Sequence, residues 1–208
     1  MGATSLMITG DDATSPVVAL PMGFTFPYFG DAMNVVTHFS ANTNGLAQLY
    51  TSAMGTPSSS FSNTALPSAS APAGSLAVFW DDQEVDTTER PMAVVRYATI
   101  GAAPSRRFVI EWNALKFFAG TTETLRYQLK LVEGSGFVEY HYCSMTSTSM
   151  TATRHTGSEA TIGLQNIPRT RGQTYLIDGT DTGMMGGMAR SVGGGTAASP
   201  SMLRFIPR

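Results

Sequence analysis

TLRYQLKLVE, residues 124–133, alternates almost without a break: Leu125, Tyr127, Leu129 and Leu131 fall on one side, Arg126, Gln128 and Lys130 on the other. Successive side chains of a strand point to opposite faces, so a period of two marks a strand with one face in a core and one in water. RRFVIEWN (106–113) repeats the pattern, setting Phe108, Ile110 and Trp112 against Arg107, Val109 and Glu111. MAVVRYATIG (92–101), GFVEYHYCSM (136–145), EATIGLQNI (159–167) and TYLIDG (174–179) continue the series, with turn clusters between them. The Gly-Ser-Gly at 134–136 closes a hairpin, because glycine supplies the positive φ of tight turns. No stretch holds a helical period. The expected fold is all-β: one antiparallel β-sandwich, jelly-roll-like, spanning residues 1–208 with its core from about 16 to 207.

The first third is less regular. VVALPMGFTFPYFG (17–30) crowds aromatics between prolines and predicts an edge or bent strand. NVVTHFSANTNGLAQLY (34–50) reads as strand, Asn-Gly turn, strand. Two long irregular loops are expected, a Ser/Ala/Pro-rich one over 51–75 and a Gly/Met-rich one over 178–201. Loops of that length inside a domain are functional or wrap the surface.

Composition narrows the function. Charged residues make up 13% of the chain, against ~25% in an average soluble protein, which suits an extracellular or assembled β protein. A net charge of −2 argues against nucleic acid as a partner, and only Lys116 and Lys130 represent lysine, so no polybasic membrane patch exists. No apolar run approaches the ~20 residues of a membrane span. Cys143 is the one cysteine, so no internal disulfide forms and a small residue, buried or half-buried, is expected there. MGATSLMITG is not a signal peptide; either a leader has been removed or the protein stays in the cell.

SLAVFWDDQEV (75–85) carries the sharpest chemical question, since an apolar run ends there in adjacent carboxylates. Phe79 and Trp80 cannot share one face of a regular strand, so the run is buried on both faces or bent. On the structural reading Trp80, like Trp112, anchors the core, and Asp81 and Asp82 hold the exit by bonding nearby backbone amides. A second reading makes Asp81, Asp82, Glu84 and Asp86 oxygen ligands of a calcium ion, joined by Asp11 and Asp12 if the ends meet. A third is a carboxylate pair for glycoside hydrolysis, but neighbours on a strand point apart, and nothing sets Glu111 opposite Glu139. No Gly-x-Ser-x-Gly elbow occurs, His38, His141 and His155 are scattered, and VGGGT (192–196) lacks the rest of a phosphate loop. No catalytic constellation emerges, and no cofactor is expected unless calcium is one. For binding, Tyr28, Tyr50, Phe61 and Phe118 lie in or beside irregular segments, where rings can stack on sugars.

Six segments, in order, resemble a nidogen-like β-sandwich module of bacterial, notably myxobacterial, secreted and surface proteins. They are LPMGFTFPYFG (20–30), SANTNGLAQL (40–49), SNTALPSASAPAGSLAVFWDDQEV (62–85), VVRYATIGAAPSRRFVIEWNAL (94–115), LRYQLKLVEGSGFVEYHYCSM (125–145) and SEATIGLQN (158–166). The resemblance implies the sandwich fold and an extracellular or cell-surface setting, with no one function attached. The first functional expectation is a non-catalytic accessory or adhesive module that binds a protein or glycan partner. Second comes a self-associating structural subunit of a shell, fibre or phage-like particle, assembled inside the cell. A hydrolase domain ranks last.

Overall fold

The computed structural model describes residues 2–31, 35–180, 190–194 and 200–207. The first half of the chain contributes β1 (Thr4–Ser5), β2 (Gly10–Asp11), β3 (Val18–Ala19), β4 (His38–Ala41), β5 (Leu46–Tyr50), β6 (Ser75–Trp80), β7 (Gln83–Val85) and β8 (Val94–Ile100). The second half adds β9 (Arg107–Phe117), β10 (Glu123–Val132), β11 (Val138–Ser147), β12 (Thr161–Gln165), β13 (Gly172–Ile177) and β14 (Met202–Phe205). One sheet runs β1-β8-β9-β10-β11-β14, with β7 paired to the far end of β9 and β2 to β7. The other runs β13-β12-β6-β5-β4-β3, and every pairing is antiparallel. The two sheets form the expected β-sandwich. No helix among the described residues is long and apolar enough to cross a membrane. The methionines of the second long loop lie outside the described residues, as does most of that loop.

The alternating segments behave as their period requires, with two informative breaks. In β9, Phe108, Ile110 and Trp112 face the core, then Ala114 takes φ +55° and the register slips, so Leu115 and Phe117 return inward. In β11 the register slips between Tyr142 and Ser144, which leaves Cys143 as the extra, exposed residue of a bulge.

Between the sheets Trp112 stacks on Tyr127 at 5.2 Å and 19°, and Phe39 meets Phe108 edge-on at 4.7 Å. Four buried tyrosines bring a hydroxyl into this apolar layer, and each hydroxyl donates to a fixed acceptor: Tyr28 to Gln165 O, Tyr127 to Gln83 Oε1, Tyr140 to Gly163 O and Tyr142 to Val78 O, at 2.8–2.9 Å. Tyr140 and Tyr142, from β11, thereby reach the backbones of β12 and β6 in the opposite sheet. Burial pushes all four phenols well above their ordinary pKa, so they stay neutral donors.

All six residues of β6 are buried, so of the two readings of its Phe-Trp pair the structure takes burial on both faces. Phe79 enters the layer between the sheets. Trp80 anchors a second, smaller cluster with Leu46, Leu66, Ala71 and Ala77 on the outer side of the six-stranded sheet.

The Asn-Gly turn between β4 and β5 lies against this strand. Gly45 has φ +75°, its carbonyl accepts from Val78 N at 3.1 Å, and an added Cβ would stand 2.8 Å from the Tyr127 hydroxyl and overlap Phe79 O. Gly45→Ala combines left-handed strain with a backbone clash, and is expected to cost about 3 kcal/mol of stability in chemical denaturation. A loss below about 1 kcal/mol would mean that the turn does not pin β6.

Candidate functional site

The loop before β6 is laid over the outer face of the six-stranded sheet and held there by side chains of that sheet. Asn42 Nδ2 donates to Ser58 O at 3.0 Å, Asn44 Nδ2 to Ser59 O at 2.9 Å and Trp80 Nε1 to Ser60 O at 2.8 Å. Gln48 Oε1 accepts from Ser58 N at 2.7 Å, and Gln165 bridges Ser68 N and Pro72 O at 2.7 and 2.8 Å. Thr174 Oγ1 both accepts from and donates to the backbone of Leu66. The polar groups that a loop would otherwise bury unpaired are thus satisfied by amide and hydroxyl side chains pointing out of β-strands or their turns.

Where the two limbs of the loop part, they leave a cleft of about 740 Å³, lined among others by Gln48, Tyr50, Ser58, Ser60, Ser70 and Arg169. Arg169 is the one charged residue in its wall. The Tyr50 hydroxyl shares a 2.7 Å hydrogen bond with Ser40, and burial raises its pKa, so the phenol is neutral. Gly55 packs so closely on the Tyr50 ring that a Cβ there would overlap it.

The four aromatics expected to bind do not form one site. Tyr50 lines the cleft. Phe61 and Phe118 are 49% and 48% exposed but do not line it. Tyr28 is a correction: only 2% exposed, it is a core residue, turned inward by the 3-10 turn Tyr28–Gly30, in which Phe29 has φ +55°.

The four acids of the calcium reading are also separated. Asp81 is gripped by Arg154, whose Nε and one Nη donate to its two oxygens at 3.0 and 2.7 Å, and whose guanidinium lies 4.2 Å above the Phe117 ring. Asp81 Oδ1 also accepts from Asp82 N at 2.7 Å, the exit-holding bond expected of it. Glu84 and Asp86 belong instead to Lys116, at 3.3 and 3.1 Å, with Glu89 at 2.8 Å completing the ring of carboxylates. Those hydrogen bonds push the Lys116 ammonium pKa up. Asp82 alone of the four joins Asp11 and Asp12, brought in when β2 pairs with β7; oxygens of the three lie within 4.8 Å of one another. Three carboxylates are a partial ligand set: calcium takes six to eight oxygens, so unless all three bound through both oxygens, backbone carbonyls or water would have to supply the rest. Glu111 and Glu139 are held as ions. At Glu111, burial opposes the charge, but hydrogen bonds from Gln128, Arg96 and Arg126 outweigh it and keep the pKa low. At Glu139, burial is likewise outweighed by Arg204 and His141.

Asp82 Oδ1 is buried without a hydrogen-bond partner, and burial, then Asp11 and Asp12, raise the Asp82 pKa. A carboxyl raised above its unfolded value binds its proton more tightly when folded. Its ionised form therefore destabilises the fold above the raised pKa, and that penalty disappears as pH falls through it toward 3.8. In metal-free buffer at neutral pH, Asp82→Asn is expected to stabilise the protein by about 0.5 kcal/mol, the scale of a partly screened charge contact. Thermal melts from pH 7 to 4 should show that gain shrinking; a gain that grew on acidification would refute the account.

No curated protein and no solved structure matches the chain. The family model described as NIDO related matches residues 1–187, which takes in both sheets except β14, the loop-covered cleft and the acidic end. The chain belongs to this nidogen-related family.

Proposed function

We propose that the protein is a non-catalytic accessory or adhesive module of a secreted or cell-surface protein, and that it holds a neutral glycan in the cleft beneath the 51–74 loop. One observation carries the reading: the wall of this cleft offers serines, an amide, one tyrosine and one arginine, with no carboxylate in it. Hydroxyl and amide groups match sugar hydroxyls, and an aromatic edge suits the apolar face of a pyranose. Glycoside hydrolysis instead needs two carboxylates flanking the bond. Membership of the nidogen-related family supports a non-enzymatic module. No cofactor belongs to the proposal; the Asp11, Asp12 and Asp82 trio enters it as an electrostatic junction of the N-terminal segment.

A self-assembling subunit is the alternative. It draws on β13, a six-residue strand at the edge of its sheet that pairs on one side only among the described strands. Light scattering over a concentration series separates the two: a mass near 22.1 kDa throughout favours the module, growing particles the subunit.

On an array of neutral glycans, Tyr50→Ala and Arg169→Gln should each weaken the best ligand roughly tenfold, the scale of one lost aromatic or charged contact. Each variant should keep a cooperative melt. No ligand on the array, or a ligand indifferent to both changes, would end the proposal.

A further inference from the structure

The outer face of the eight-stranded sheet, on the opposite side of the molecule from the cleft, carries a positively charged patch between β8 and β14. Arg96 on β8, Arg107 on β9, Arg126 and Lys130 on β10 and Arg204 on β14 stand there, five of the chain's 13 lysines and arginines. Their strand neighbours Val95, Phe108, Tyr127, Leu129 and Phe205 are buried in the core, so alternation turns all five outward. Against them the part of this face between β8 and β14 has two carboxylates, Glu111 and Glu139; Glu84, Asp86 and Glu89 gather apart from it, around Lys116 at the far end of β9. That is a local surplus of three positive charges on this patch, in a chain whose net charge is −2.

Both carboxylates are buried, at 6% and 4% exposure, and both are spent in positioning cations. Glu111 receives Arg96 Nε at 2.7 Å and Arg126 Nε at 3.0 Å; Glu139 receives Arg204 Nη at 2.6 Å. Each guanidinium commits its Nε and one Nη to its glutamate, and its other Nη keeps two N–H donors. The three forks are therefore fixed in orientation and keep free donors, and with their two glutamates they carry one net positive charge. Arg107 and Lys130 make no ion pair among the described residues. Burial first, and then the fields of Lys130 and Arg107, hold down the His141 pKa on this face, against the pull of Glu139. Between Arg96 and Arg126 lies a shallow hollow of about 250 Å³ floored by Ala98 and Val109.

We propose that this face binds an acidic polysaccharide, a sugar chain bearing carboxylates. The hollow sets the C–H face of a ring on Ala98 and Val109 and its acid group on a guanidinium, while Arg107 and Lys130 meet the acid groups of neighbouring sugars. Nucleic acid fits less well. Tyr97 and Phe137 are half-buried and already engaged, Tyr97 against Phe39 and Phe108 and Phe137 under the Arg204 guanidinium at 5.5 Å, so this patch offers no fully exposed aromatic platform for a base. At the far end of β9 the carboxylates around Lys116 repel a densely charged strand.

Retention of the whole chain on immobilised polygalacturonate, with neutral dextran as the control, tests this. The wild type should be retained on polygalacturonate at low salt, pass through dextran, and elute as salt rises. The double variant Arg107→Gln/Lys130→Gln, which breaks no ion pair among the described residues, should melt like the wild type and bind roughly tenfold more weakly. Its binding to any neutral glycan of the cleft should be unchanged, so failure here and failure of the cleft reading are distinguishable. Tyr50→Ala should be retained on polygalacturonate as the wild type is. The proposal is overturned if the wild type is not retained, if the double variant binds as tightly as the wild type, or if single-stranded DNA binds at least as well. Loss of retention in Tyr50→Ala would overturn it too, by placing the anion in the cleft.

Discussion

Burial of β6 on both faces is the constraint on which the rest of the molecule depends. Ser75–Trp80 lies in the middle of the six-stranded sheet, sends Phe79 into the layer between the sheets and leaves Trp80 on the outer side. A tryptophan is too large an apolar surface to leave in water, so that side must be covered as well. The cover is a loop, and a loop brings unpaired backbone groups whose burial costs about 1–3 kcal/mol each when unsatisfied. Asn42, Asn44, Gln48, Gln165 and Thr174 meet that demand from the sheet beneath. The cleft follows from this arrangement. It is the gap left where the loop's limbs diverge, and its wall is polar because the segment that lines it must stay compatible with water on its other side.

The period of two made the sandwich legible, and it did so wherever one face of a strand meets water. Residues 124–133 and 106–113 pack as their pattern demands, up to the bulges near Ala114 and Cys143. A bulge depends on what the partner strand needs opposite it, and no local signal announces that. Phe79 and Trp80 were ambiguous for a related reason: a strand buried on both sides has no alternation to read, and only the loop above it resolves the choice. Tyr28 was misplaced because a single turn reverses the direction of its side chain, and its hydrogen-bond acceptor, Gln165 O, is 137 positions away.

Neighbourhood in sequence also misled the reading of the acids. Asp81, Asp82, Glu84 and Asp86 look like one group, but the exit from β6 and the pairing of β7 on β9 hand them to different cations. Arg154 arrives from the segment before β12 to take Asp81, and Lys116 reaches Glu84 and Asp86 from across the β7–β9 ladder. What remains for Asp82 is the company of Asp11 and Asp12, a contact that the pairing of β2 on β7 creates. The outcome is topological: each carboxylate's partner lies on a strand that becomes its neighbour only once the sheet has closed.

The same logic explains how a chain of low charge carries a strongly polar surface. The net charge of −2 is a sum over the whole chain, and the sum hides its distribution. Alternation sends the cations of four strands to one side of one sheet, while the turn segments of the β6–β7 end collect the acids. With 13% charged residues there are few opposite charges nearby to cancel either group, and at physiological ionic strength screening sets in only beyond about 8 Å. The two outer faces of the sandwich are therefore chemically different, one nearly neutral and rich in hydroxyls and amides, the other cationic between β8 and β14 and acidic around Lys116. The layer of buried aromatics between the sheets keeps the two faces apart, so the two proposed ligands would meet separate surfaces with no side chain in common.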